Sequence, residues 1–451
     1  MSVDSMSARD ASATKNDDLS ELEAPELGHR SGWRRLIPRR PKLEPRQRRV
    51  VGVLGAANLV DNYDVAILGL ALPQIQAGLM IPEGDVGGVS AVIRLGVIPA
   101  VVLSALADGI GRRILLLVTI LGFTLMTALT SLAQTPEQFM AMQFAARVFI
   151  AAEGILAIVV VAEELGARSR GWGIGVIGAM GALGHGVASI VFALVNVLPF
   201  GWRSMYLLGI APLLMLAWFR RSLHETHRFE EHRKTRRVYN LREALRPFRN
   251  LFRMYPGRLL AMCGALFPVA FLFETSGFFA SKTLQEVHGY SPGDVTVLYL
   301  TAGIAAPIGN IVAGVLGDRY GRKWVMVAGL LLNAATIAAF YNGSPFWVPF
   351  AWSAFVFSLT LVSILFAALG AELFPTSYRS TASGVRAIVA TIGASLGLYI
   401  EGLLFQQLGS HSAAITAMLV IAPIGPIIGA VFLPETASRE LEEISPERND
   451  R

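Results

Sequence analysis

Two heptapeptides organise the chain: "ADGIGRR" at Ala107–Arg113 and "GDRYGRK" at Gly317–Lys323, with Asp108 and Asp318 210 residues apart. A second pair keeps nearly the same offset. "EELGARSRG" (Glu163–Gly171) is matched by "ELFPTSYRS" (Glu372–Ser380), with Arg170 and Arg379 separated by 209. Asp64 shifted by 210 falls on Glu274. A common offset across three pairs indicates two copies of one unit, and internal duplication of this kind is a feature of transporters.

Composition identifies the solvent of each copy. Of 451 residues, 53% are hydrophobic and 16% charged, and mean hydropathy is +0.52. Water-soluble domains carry about 25% charged residues. Windows of ~20 apolar residues place twelve spans at 50–72, 87–107, 113–133, 138–162, 172–194, 203–220, 259–281, 296–316, 324–341, 346–370, 381–404 and 412–433. The predicted fold class is an all-α polytopic membrane protein, with twelve transmembrane helices in two pseudo-symmetric six-helix bundles.

Loop charge tests the count independently. Lys and Arg between spans fall at Arg112 and Arg113, Arg168 and Arg170, twelve positions from Arg220 to Arg258, then Arg319, Arg322, Lys323 and Arg379. All are even-numbered loops. The odd-numbered loops hold only Arg203 and Lys282, at span edges. The positive-inside rule therefore places both termini in the cytoplasm of a multi-pass protein of the cell (inner or plasma) membrane. Residues 1–49 read as a disordered, basic cytoplasmic arm meeting the membrane surface. Residues 50–220 form the first bundle, 221–257 a cytoplasmic central loop, 258–434 the second bundle and 435–451 a cytoplasmic tail. The net charge of +6 is accounted for by membrane orientation, so no nucleic-acid partner is expected. The single cysteine, Cys263, forbids an intrachain disulfide.

At these residues the sequence resembles the major facilitator superfamily, over about residues 50 to 445. The D-x-x-G-R-R/K loop is that family's marker, here Asp108, Gly111, Arg112 and Arg113, repeated as Asp318, Gly321, Arg322 and Lys323. The upstream glycine is Gly314 in the second copy and Ser104 in the first. Arg147 in "ARVFIAAEG" matches the superfamily's fourth-span arginine. "LHETHRFEEHRK" and "PETASRELEEI" look like cytoplasmic signatures of sugar porters. "DNYDVAILG" is similar both to the sugar-porter "GYD" and to the paired first-span aspartates of aromatic-acid/proton symporters, with Asn62 where those have glycine. Physically, the glycines allow a tight turn and close helix approach. Asp108 and Asp318 can meet a helix N-terminus or a neighbouring guanidinium as a breakable latch between halves in one state.

The first span, "NLVDNYDVAILGLALPQI" (Asn58–Ile75), carries Asp61 and Asp64, and a carboxylate at that depth costs roughly 2.5–3.5 kcal/mol on insertion scales. On a helix, Asn58, Asp61, Asn62 and Asp64 fall within about half the circumference, a polar face expected to look into a cavity. At about 1.5 Å per residue, Asp64, Arg94, Arg147 and Glu274 reach one height, with Asp61 and His185 close by and Glu153 slightly inside. Burial favours the neutral form of a carboxylate, whereas arginine keeps its charge and presents a fork that fits carboxylates. The expected assignment follows. Asp64 carries a proton and Asp61 tunes it. Arg147 and Arg94 grip an anion, and Glu274, Asn58 and Asn62 complete the substrate site. His185 and Glu153 are further candidates. Arg386 and Glu401 are expected to snorkel from the ends of span eleven, and Trp347, Phe350 and Trp352 to form an interfacial belt.

The function these residues favour is proton-coupled symport of a small organic acid or similar metabolite by alternating access. Competing readings are a sugar or polyol porter, a drug/proton antiporter, and a membrane sensor on the same scaffold. Span seven lacks the paired Gln face of sugar porters, and span five lacks the G-P-x-x-G-G run of drug antiporters. No nucleophile–base arrangement, metal cluster or phosphate loop suggests an enzyme. The expected cofactor set is empty, with the proton as coupling ion. The expected partners are a small metabolite, protons and membrane lipids, around a monomer.

Overall fold

The computed structural model describes residues 41, 43–105, 111–220, 241–437 and 444. Among them twelve helices are long and apolar enough to cross a membrane. They are α1 (Pro45–Leu70), α2 (Glu83–Ser104), α3 (Arg112–Ser131), α4 (Pro136–Glu164), α5 (Ser169–Phe192), α6 (Trp202–Arg220), α7 (Pro256–Glu286), α8 (Pro292–Tyr320), α9 (Arg322–Asn342), α10 (Val348–Glu372), α11 (Arg379–Leu408) and α12 (His411–Phe432). Several outrun their apolar windows, because a helix continues wherever its polar end finds a partner. α1 begins at Pro45, five residues early, where Arg46 pairs with Glu164 at 3.0 Å and Gln47 donates to the Glu164 carbonyl at 3.0 Å. α7 runs on through Lys282 to Glu286, whose carboxylate takes the Lys282 ammonium at 2.6 Å.

The two halves repeat one packing scheme. α1 lies along α5 as α7 lies along α11, and α3 along α4 as α9 along α10. Each closest pair depends on a missing side chain. A Cβ on Gly184 of α5 would sit 2.1 Å from the Leu59 carbonyl of α1, and one on Gly397 of α11 would sit 2.2 Å from the Phe271 carbonyl of α7. Only hydrogen at these sites lets the backbones meet. Large apolar side chains such as Leu125, Trp218 and Val315 remain exposed on the outer surface, as a lipid-facing shell requires.

Between the halves, α2 packs on α11, α5 on α8, and α1 on α7. These contacts gather at the end that holds the α1–α2, α7–α8 and α11–α12 connections, termed here the closed end. There Ser281 donates to the Leu70 carbonyl at 2.7 Å and Thr296 to the Ser189 carbonyl at 2.6 Å. A Cβ on Gly186 of α5 would sit 3.7 Å from Leu300 of α8, whereas Gly178 and Gly175, nearer the basic end, have nothing within 4 Å of a Cβ position. The two bundles converge at one end and separate toward the other. α2 bends at Gly96, and α8 is interrupted at Ile304.

Candidate functional site

A cavity of about 220 Å³ opens between the halves just beneath the closed end. Its walls come from α1, α2, α4 and α5 on one side and α7, α8, α10 and α11 on the other. Arg94 of α2 forms an ion pair with Glu274 of α7 across this space, with side chains 26% and 46% exposed. Arg147 of α4 also lines the cavity and lies within electrostatic reach of Arg94, Glu274 and Asp64. It is placed by α2, since a Cβ on Gly96 would come within 3.0 Å of the Arg147 Cβ and 2.6 Å of the Phe144 carbonyl. His185 joins the wall, its Nδ1 3.3 Å from the Gly181 carbonyl. Phe273, Phe278, Phe355 and Tyr299 make the C-terminal side aromatic. No Asn or Gln stands among the lining residues.

The structure therefore brings Arg94, Arg147, Glu274 and His185 to one space, and sends the α1 residues elsewhere. Asp64, 3% exposed, turns into its own half and accepts a 3.1 Å hydrogen bond from Thr127 of α3. Asp61, also 3% exposed, lies near the fully buried Glu153–Arg220 pair, and its Oδ1 accepts no hydrogen bond among the described residues. Arg220 further donates to the Leu116 carbonyl at 2.8 Å, so Glu153 ties α4 to α6 and stands outside the cavity. Asn58 donates to the Ile177 carbonyl of α5 at 2.8 Å, and Asn62 to the Asn58 carbonyl at 2.7 Å. The expectation that one polar α1 face looks into a cavity is corrected. That face spans too wide an arc, and its two edges are used for packing on α5 and on α3, α4 and α6. The α1 residues in the cavity wall are Val65, Ala66, Leu68, Gly69 and Leu70.

At the basic end the duplicated motifs make matched contacts. Arg112 pairs with Glu163 at 3.0 Å, and Arg322 pairs with Glu372 and with Asp318, the latter at 3.2 Å. Gly111 and Gly321 carry φ of 110° and 99°, values that favour glycine at the turn. Glu435 accepts from the backbone N–H of Arg322 at 2.8 Å and of Lys323 at 3.3 Å, capping α9. Lys323 itself lies over the Trp324 ring, 5.1 Å from its centroid, and Arg113 is exposed. Asp108 lies outside the described residues. These ion pairs run within each half, not between halves as a closed latch would, because the bundles are apart at this end.

A second charged cluster, at the closed end, was missed from sequence. Glu83, just before the body of α2, reaches the C-terminal half, where Lys282 holds its Oε1 at 2.8 Å and His411 Nε2 stands 3.1 Å from the same oxygen. Lys282 is 2% exposed and also donates to Gln76 at 2.6 Å. His411 Nδ1 contacts Glu401 Oε1 at 2.5 Å. Glu401 is 0% exposed, so its expected snorkelling is corrected: it has a partner within the protein. Arg386 is half-buried. Trp352 is likewise buried, stacked on Phe355 at 5.2 Å, while Trp347 and Phe350 remain exposed. The signal available was Glu83, Lys282 and His411 at span edges, in loops otherwise free of Lys and Arg.

Twelve helices in two duplicated bundles around a central cavity that holds a few charged side chains define a secondary transporter scaffold. The sequence profile of the Major Facilitator Superfamily matches residues 54–304 and 262–449, and the chain belongs to that family. It is 23% identical to the benzoate transport protein of Acinetobacter baylyi, covering 90% of this chain and 94% of that protein. It is 26% identical to the probable 4-methylmuconolactone transporter of Cupriavidus pinatubonensis, covering 89% and 93%. Among solved structures, an inward-facing, occupied bacterial homolog of the human lysosomal transporter Spinster superposes with a TM-score of 0.72 at 15% identity, covering 86% and 97%. A D-xylose–proton symporter superposes with a TM-score of 0.69 at 16% identity, covering 86% and 98%. The chain is a transporter and not an enzyme.

Proposed function

We propose that this transporter carries a small, preferably aromatic, organic anion into the cell with protons, by alternating access. The observation that carries the proposal is the Arg94–Glu274 pair bridging the halves across the cavity, with Arg147 beside it. An incoming carboxylate can replace Glu274 on Arg94 and engage Arg147 through paired N–H donors. Binding then breaks a link between the halves and makes another through the substrate. Asp64 stands behind Arg147. While ionised it competes for that guanidinium, and once protonated it releases Arg147 to the anion. The cavity is smaller than the ~300 Å³ at which drug-sized sites begin. Its aromatic wall suits a planar acid, and the absence of lining amides speaks against a sugar. The printed names of the benzoate and methylmuconolactone relatives point the same way.

The charge bias of the loops supports an orientation with the basic end, and both termini, in the cytoplasm of the cell membrane. The closed end then faces outside, and the structure corresponds to an inward-open state. The test is benzoate uptake into proteoliposomes under an imposed proton gradient. Asp64→Asn is expected to abolish gradient-driven accumulation while sparing counterflow. Accumulation by that variant at the wild-type level overturns the coupling role.

A further inference from the structure

We propose that the His411–Glu401 pair is a second proton-binding site, belonging to the outer gate, and that Glu83 stays seated only while its proton is present. The name of outer gate rests on the orientation given under the proposed function.

The contacts set the proton count. Nδ1 of His411 faces Glu401 at 2.5 Å and Nε2 faces Glu83 at 3.1 Å. A neutral imidazole donates from one nitrogen only. Glu83 is kept ionised by the Lys282 ammonium on its Oε1, so two bonds need either a doubly protonated ring or a protonated Glu401, and both forms hold one proton more than imidazole plus carboxylate. Without it, a ring lone pair is turned toward a carboxylate oxygen at hydrogen-bond distance. The other Glu401 oxygen, Oε2, is buried and accepts no hydrogen bond among the described residues, so charge on this group has little other compensation.

The ring cannot turn aside. It is stacked between Phe279 of α7 and Phe405 of α11, with centroids 4.5 and 4.3 Å away. The charged groups around it are Glu83 at the start of α2, Lys282 and Glu286 on α7, and Glu401 on α11. Tyr341 of α9 lies within electrostatic reach of Glu401. Three carboxylates against one ammonium leave the cluster at −1 with the extra proton and −2 without it. Glu83 is the one member from the N-terminal half, so repulsion acts on the element that has to leave. Loss of the proton to external water unseats Glu83 and loosens the α2–α11 and α1–α7 contacts. Uptake from outside reseats it. This proton enters and leaves by the same side, unlike the one assigned to Asp64, and it sets the gate without being transported.

The experiment uses the full-length chain with Cys263→Ser and Ala280→Cys, a reporter at a position 0% exposed beside the stacked Phe279, where the native side chain makes none of the hydrogen bonds of the closed end. Intact cells are labelled from outside with a membrane-impermeant maleimide, and rates are normalised to Met80→Cys, a position 85% exposed. The normalised rate is expected to rise about 10-fold between roughly pH 6 and pH 8.5. It should be flat across that range in His411→Gln, and in Glu401→Gln should the first variant not accumulate. A flat wild-type profile, or an unchanged slope in either variant, overturns the proposal. Labelling seen only in inside-out vesicles overturns the orientation instead, and failure of Asp64→Asn to alter uptake leaves this profile untouched.

Discussion

Arg94 and Arg147 line one cavity but sit in different company. Arg94 is held by Glu274 across the gap, whereas Arg147 makes no hydrogen bond to protein among the described residues. A guanidinium presented this way offers a fork that an ammonium cannot reproduce. Arg147→Lys is therefore expected to weaken carboxylate binding about 10-fold, roughly 1.4 kcal/mol, with the melting profile unchanged. Titration of purified protein with benzoate checks it. Three of the residues at this site could be read from sequence by depth alone, since Arg94, Arg147 and Glu274 fall at one height when helix rise is counted from the span ends. Depth does not give azimuth. Which way a side chain points around α1 depends on the tilt and roll of its neighbours, so depth alone does not predict the Thr127 partner of Asp64. Asn58 and Asn62 were assigned to the cavity although they bond within and across to α5.

At the scale of elements, the matched glycines of α5 and α11 make a prediction with its own control. Gly184→Ala and Gly397→Ala place a methyl against the backbone of α1 and α7, where only a shift of a whole helix gives relief. Overpacking of this kind costs about 1–3 kcal/mol. Both variants should melt earlier than wild type in detergent, while Gly175→Ala and Gly178→Ala, with nothing within 4 Å, should not. A second prediction concerns α9. Glu435 caps its first turn through two backbone N–H groups, so Glu435→Ala is expected to lose about 0.5–2 kcal/mol, seen as faster hydrogen exchange at Arg322 and Lys323. The loop motifs were legible at this scale because they repeat. Their pairing was less so, since Glu163 and Glu372 meet Arg112 and Arg322 only once four helices are in place.

For the whole molecule, the twelve spans and their duplication followed from apolar length and a shared offset, both one-dimensional quantities. The state of the molecule did not, because sequence is common to every conformation. Here the closed end carries an ionic cluster and the Arg112–Glu163 and Arg322–Glu372 pairs of the basic end each lie within one half, so the two ends should respond oppositely to conditions that reverse the gates. A thiol placed at Gly178, where a Cβ has open space, is expected to react fast in this state. It should be protected several-fold when Ser281→Ala and Thr296→Val together loosen the closed end, an effect of the size of typical inter-site coupling. Unchanged reactivity in the double variant would show that these two hydrogen bonds do not bias the gates. The cluster at Glu83, Lys282, Glu401 and His411 escaped sequence reading for a related reason. Each lies at the end of a different span, where a charged residue ordinarily meets water, and only the assembled fold buries Lys282, Glu401 and most of His411.

The hydrogen bonds that seal that end have a directional chemistry. Ser281, Gln285 and Thr296 all donate from the second half, and their acceptors are main-chain carbonyls of Leu70 and Ser189 in the first. A carbonyl survives any codon change, so these three bonds can be cut from one side only, unlike the side-chain contacts through Gln74, Gln76 and Glu83. Random mutagenesis followed by selection for constitutively leaky or substrate-sensitised cells should therefore recover lesions unequally, crowded among the donors of the second half and sparse at the positions that receive them.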